Sequence, residues 1–226
     1  MDNVEDIYPL SSLQEGILFH VLKDKQAGLY VQQISCDLRG ALDVSRLQES
    51  WGHVLQRHTA LRTSFHWEEV DTPLQVVHNT VTPRWHAHDW RTLGEEVIAC
   101  QWQRLWKRDR QTSLELTDAP VMRFTLVQTG EDTWRFLWTF HHILADGWSA
   151  AQVLRQVFSH YDTGGESAAE VDPPPPYSAY IAHLQQFDRT RAEAYWRKTL
   201  AGIAAPTTLP IRNRSHGSNA TIQTTF

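Results

Sequence analysis

A chain of 226 residues, 41% hydrophobic and 21% charged, has a globular composition and the length to bury a sizeable core. Its formal net charge of -5, with both signs scattered along the chain, offers neither the basic stripe that binds nucleic acid nor a polybasic membrane patch. The acidic start "MDNVEDIYPL" lacks the apolar core of a signal peptide and no run approaches the roughly 18 apolar residues of a membrane span, so a cytoplasmic location is expected.

Along the chain, "SSLQEGILFHVL" sets Leu13, Ile17 and Val21 on one helical face with Leu18 and Leu22 beside them. Ser11 and Gln14 form a capping box, and a helix over 12–22 follows. "YVQQISCDL" alternates, with Ile34, Cys36 and Leu38 on one side, and reads as a strand. After a cap at Asp43, Leu47, Trp51, Val54 and Leu55 recur at helical spacing. Short strands are predicted at 62–67, 74–78 and 84–88, then a Trp-rich helix over 94–109. "VMRFTLVQ" and "TWRFLWTFH" make a strand pair turning at Gly130-Glu131-Asp132, with Trp134, Phe136, Trp138 and Phe140 on one face. A further helix carries Val153, Leu154, Val157, Phe158 and Tyr161 at core spacing. Both element types alternate, which predicts an α/β sandwich.

The composition changes at "DTGGESAAEVDPPPP". Gly164, Gly165 and Pro173 to Pro176 mark a stiff polar spacer, so a first lobe is expected over 1–163, a linker over 164–176 and the start of a second lobe over 177–226. Two helices are predicted in that last part, the second capped by Asp188 and stopped near Gly202, followed by a strand-like "ATIQTTF". Cys36 and Cys100 fall in no CxxC or metal-ligand spacing and read as small core residues in a reducing compartment. No repeat, GxGxxG or phosphate-binding loop is present.

The stretch "WTFHHILADGWSAAQVL" carries the chemistry. Adjacent histidines on a strand point to opposite faces, and no HExxH or Cys/His set accompanies them, so no metal is expected. Two readings remain open on the residues alone. One is a buried, hydrogen-bonded pair; the other is an acid/base imidazole at a strand-to-helix turn, where an aspartate fixes the turn, glycine relaxes its backbone and the helix N-terminus offers N–H groups to negative charge.

HHxxxDG, here His141-His142-Ile143-Leu144-Ala145-Asp146-Gly147, resembles the active-site motif of the condensation domains of nonribosomal peptide synthetases, relatives of chloramphenicol acetyltransferase. Three more blocks stand in that family's order: "YPLSSLQEGILFH", "RHTALRTSF" and "YWRKTLAG". The resemblance implies a chloramphenicol acetyltransferase-like lobe with a mixed sheet and flanking helices. It covers the N-terminal lobe and the start of the C-terminal lobe; the later motifs of the second lobe are absent, so this chain alone is expected to be inactive. "IYPLSSLQEGILFH" is most similar to the subtype joining a donor that ends in a D-residue to an L-aminoacyl acceptor.

The implied reaction is attack of the acceptor's α-amine on a donor peptidyl thioester. Both substrates arrive on phosphopantetheine arms of donor and acceptor peptidyl carrier proteins, beside other synthetase domains and with no cofactor bound covalently to this chain. By the resemblance, His142 faces the tunnel as base or positioning group, His141 is structural, and Asp146 pairs with Arg62 beneath the turn. Gly147 is the turn residue whose N–H is a candidate oxyanion donor, and Ser149 is a second candidate. Met1 stands close to the first block, so a donor carrier acting in trans is expected. The rival readings are a coenzyme A-dependent acyltransferase of the same superfamily and a non-catalytic lobe that docks carrier proteins.

Overall fold

The computed structural model describes residues 3–23, 29–164 and 174–205. Seven strands and six α-helices follow in chain order among them. β1 (Val4–Pro9), α1 (Ser12–Lys23), β2 (Val31–Arg39) and α2 (Val44–Arg57) lead to a 3₁₀ turn, Thr59–Arg62. β3 (Thr63–His66), β4 (Leu74–His78), β5 (Arg84–Asp89) and α3 (Glu95–Gln111) come next. β6 (Met122–Gly130), β7 (Thr133–His141), α4 (Gly147–Asp162), α5 (Tyr177–Gln185) and α6 (Arg189–Thr199) complete the order.

The larger sheet runs β2-β7-β6-β5. β7 is antiparallel to both β2 and β6, while β5 joins β6 in parallel through the crossover helix α3, so the sheet is mixed. Alternation decides what each face meets. The row Ile34, Trp138, Phe124 and Trp85 crosses all four strands on one side. There it packs with Leu47, Trp51, Val54 and Leu55 of α2 and with Ala150, Val153 and Val157 of α4. Trp51 is fully buried at the centre, its ring centroid 4.4 Å from that of Phe124 and 4.9 Å from that of Trp138.

The opposite face carries Val127 and Leu137 under Trp102, Leu105 and Trp106 of α3. It also holds a buried ion pair, Arg123 Nε to Asp109 Oδ1 at 2.6 Å. Thr139 and Gln33, neighbours of Arg123 across the sheet, both donate to the second Asp109 oxygen, so this carboxylate is satisfied from three strands. The architecture is a mixed sheet between helical layers, an α/β fold as the alternating elements predict.

The smaller sheet, β1-β4-β3, is antiparallel. β1 is absent from the sequence reading: Val4–Pro9 alternates weakly and ends in a proline, which an edge strand tolerates because its N–H is not needed. The face predicted for α1 also needs correction. Ile17 and Leu18 are buried, but Leu13 is 76% exposed and Gln14 is buried in its place. The capping box forms, with the Ser11 N–H donating to Gln14 Oε1 at 2.9 Å, and it draws Gln14 inward.

The first compact unit extends to Gln186. α5, which follows the expected spacer, packs Ile181 against Tyr8 and Val77 of the small sheet. The expected linker falls mostly on 165–173, and "ATIQTTF" on 220–226, both outside the described residues. In the second unit, Asp188 caps α6 by accepting the Arg191 N–H at 3.0 Å, and Glu193 pairs with Arg197 one turn on. The helix stops before Gly202, whose φ is +91°.

Candidate functional site

β7 delivers His141 to the face shared with Leu137 and Thr139, where it is 3% exposed. Its Nδ1 accepts the Ile143 N–H at 3.2 Å, so the ring proton sits on Nε2 and is bonded to the Leu29 carbonyl. Burial, reinforced by His142 next door, pushes the His141 imidazole down to about 4, and the Leu29 bond only partly opposes this. At neutral pH His141 is an uncharged strut.

His142 ends the ladder and is half-buried. Its N–H donates to the Tyr30 carbonyl at 2.8 Å, extending the β2–β7 pairing by one residue. Tyr30 does this with a left-handed φ of 57°, uncommon for an aromatic residue. The Leu144 N–H then closes on the His141 carbonyl at 3.0 Å, and Ile143 anchors the turn in a cluster with Leu10, Leu18 and Phe65. An open hollow of about 460 Å³, bordered by His20, Lys23, Leu29 and Tyr30, adjoins this turn.

Asp146 starts α4. Its Oδ1 accepts the Ser149 N–H at 2.8 Å, and the Ser149 N–H and hydroxyl together hold its carboxyl below the usual carboxylate range. This corrects two expectations. Asp146 is exposed and does not pair with Arg62, because its carboxylate is taken up by its own helix N-terminus. The Ser149 N–H is committed to Asp146 Oδ1 and so is not free for an oxyanion.

Arg62 is 3% exposed and tied elsewhere. It donates to Glu5 Oε2 at 2.7 Å, to the Leu55 carbonyl at 3.0 Å, to the Gln56 carbonyl at 3.2 Å and to the His78 carbonyl. It therefore joins the end of α2 to β1 and β4. Gly147 is not a strained turn residue either: it is the first residue of α4, has no positive φ, and a Cβ there would meet nothing within 4 Å. What it offers is open space and, among the described residues, an N–H without a hydrogen bond at a helix N-terminus.

Two residues escaped the sequence reading. Gln14 and Gln75 bond to each other through both amide groups, at 3.2 and 3.3 Å, and Gln14 Nε2 also donates to the Ile143 carbonyl at 3.3 Å. The signal for Gln14 was its place in the capping box; for Gln75 it was an amide beside the apolar run Val76-Val77 in a strand. Among the described residues, no group of three or more His, Cys, Asp or Glu side chains is placed to hold a metal ion. A half-buried imidazole with its backbone held on both sides, beside a helix-terminal N–H, can orient a polar reactant and exchange a proton with it.

The condensation-domain profile matches residues 4–225. The chain belongs to the condensation-domain family. It is 40% identical over 207 residues to one of the linear gramicidin synthase polypeptides of Brevibacillus parabrevis, covering 91% of this chain and 4% of that protein. In fold it is similar to a variant of the starter condensation domain of rhizomide synthetase RzmA, with a TM-score of 0.78 and 22% identity over 92% of this chain and 48% of that one. It is also similar to the cyclization-docking bidomain of EpoB from Sorangium cellulosum, with a TM-score of 0.79 and 19% identity over 94% and 43% of the two chains. This condensation-family chain thus spans about half the length of these solved chains and a small fraction of the gramicidin synthase polypeptide. No helix among the described residues is long and apolar enough to cross a membrane.

Proposed function

We propose that this chain is the histidine-bearing lobe of a peptide-bond-forming condensation domain of a nonribosomal peptide synthetase. The acceptor's α-amine, delivered on the phosphopantetheine arm of one carrier protein, attacks the thioester carbonyl of a donor on the arm of another. The C–N bond forms, the C–S bond breaks, and the amine's proton ends on the released thiol. The observation carrying this reading is the division of the pair: His141 buried and neutral, His142 half-buried with its backbone clamped.

His142 orients the amine and relays its proton. Orientation is the larger part: α-amines titrate near pH ~8, so neutral nucleophile is at hand, whereas holding two tethered reactants contributes ~7–11 kcal/mol. The Gly147 N–H faces no partner of its own and is the candidate donor to the developing oxyanion. The open space over Gly147 and the 84% exposure of Trp148 leave room for an arm beside it. "IYPLSSLQEGILFH" supports the subtype that takes a D-terminal donor and an L-acceptor.

The test is His142→Ala in the synthetase that carries this chain, with carrier-bound D- and L-terminal donors and a coenzyme A thioester supplied in parallel. Product, read by mass spectrometry, should fall about 10²–10⁴-fold with the melting temperature unchanged, and wild type should prefer the D-terminal donor. Equal product from the variant removes His142 from the mechanism. Preference for the coenzyme A thioester reassigns the chain to the small-molecule acyltransferases, and carrier binding without product leaves a docking lobe.

A further inference from the structure

We propose that Gln14 is a positioning residue for His142, acting through the Ile143 carbonyl; this rests on the functional reading above. The residue after His142 is held at both of its backbone polar groups. The Ile143 N–H is fixed by His141 Nδ1 at 3.2 Å and the Ile143 C=O by Gln14 Nε2 at 3.3 Å. With the His142 N–H on Tyr30, the backbone on either side of the imidazole is pinned. Only the Gln14 contact comes from a side chain outside the β7 turn.

Chemistry fixes which end of the Gln14 amide faces the turn. Its oxygen accepts the Ser11 backbone N–H at 2.9 Å, a group that can only donate, so the nitrogen must face the Ile143 carbonyl, which can only accept. Gln75 fixes the same orientation, its Nε2 donating both to Gln14 Oε1 at 3.2 Å and to the Pro9 carbonyl at 3.0 Å. Gln14 is 7% exposed and Gln75 is 1% exposed, so water cannot replace either contact cheaply. The start of β4 and the end of β1, through Gln75, therefore hold the Gln14 amide that meets the carbonyl next to His142. The arrangement exceeds what a helix cap requires, because a cap needs only the oxygen of Gln14.

That surplus supplies the test. Gln14→Glu keeps the cap oxygen and removes the N–H; Gln14→Ala removes both; Ser11→Ala weakens the cap and leaves the Ile143 contact. In the synthetase carrying this chain, Ser11→Ala should lower the melting temperature at wild-type kcat. Both Gln14 variants should lower kcat about 10- to 100-fold with acceptor KM little changed, the size expected of a displaced catalytic group. Gln14→Glu should regain activity relative to wild type on acidification, as its protonated carboxyl donates to Ile143, and Gln14→Ala should not. Amide hydrogen exchange at Ile143 and Leu144 in the 226-residue chain should accelerate at least about tenfold more in Gln14→Ala than in Ser11→Ala. Wild-type kcat in either Gln14 variant, a kcat loss matched by Ser11→Ala, or unchanged exchange at Ile143 overturns the assignment. A wild-type synthetase that forms no product overturns the functional reading instead, and the exchange measurement still decides whether Gln14 holds the turn.

Discussion

His141 and His142 share a peptide bond and almost nothing else. Strand alternation sends the first into the packed face, and the turn leaves the second half-buried. The buried ring makes a stability prediction with a definite sign. Its folded pKa, about 4, lies below the ordinary 6.5, so the unfolded chain takes up a proton as pH falls through 6.5 while the folded chain does not until about 4. His141's contribution is complete above pH 6.5 and declines across that window by about 3 kcal/mol. His53, His78 and His88 are shifted in the same direction by burial, so the comparison must be made against a variant. His141→Asn, followed by denaturant unfolding from pH 7 to 4, should show a flatter decline than wild type. Parallel curves would assign the acid sensitivity to the other histidines.

Arg62 makes a second residue-level prediction. Removing its side chain strands Glu5 and the Leu55, Gln56 and His78 carbonyls, so Arg62→Ala should cost about 3–5 kcal/mol. A double-mutant cycle should give about 0.5–3 kcal/mol of coupling with Glu5→Ala and additivity within about 0.5 kcal/mol with Asp146→Ala. Coupling to Asp146 instead would restore the pairing that the family resemblance implied.

Among elements, α4 depends on its capping residue, Asp146. Asp146→Ala should destabilise the chain by about 1 kcal/mol through loss of the cap, while Asp146→Asn, which keeps an acceptor for the Ser149 N–H, should be nearly neutral in thermal unfolding. A large loss in the Asn variant would mean that the charge, not the cap, matters. The periodic elements were readable because each carries its own signal: Leu47, Trp51, Val54 and Leu55 repeat at helical spacing, and Trp134, Phe136, Trp138 and Phe140 alternate. What the sequence hid lies in pairings between distant elements. Nothing local tells Arg62 to choose Glu5, or turns Leu13 outward in favour of Gln14. The motif located the histidine turn, but its supports, the Leu29 and Tyr30 carbonyls and the Gln14 amide, come from segments more than a hundred residues earlier in the chain.

Across the whole molecule, one aromatic layer and one buried ion pair hold the two faces of the mixed sheet. Cys36 packs at the margin of this layer, Cys100 is exposed, and both are free. Trp51, wedged between Phe124, Phe136 and Trp138, joins α2 to both central strands.

The register of β2 against β7 has a consequence for the order in which the chain is made. Val31 pairs with His141 and Arg39 with Thr133, so the two strands meet only after about a hundred intervening residues have been added. Such non-local closure is entropically slow and arrives late in folding. On a ribosome, β2 waits with an open edge while α2, β3 to β5, α3 and β6 emerge. The strand of this sheet latest in the chain, β7 between β2 and β6, is the one that ends at His141. The register that closes the sheet, Val31 against His141, therefore also sets the backbone of His142, whose N–H bonds to the neighbouring Tyr30 carbonyl.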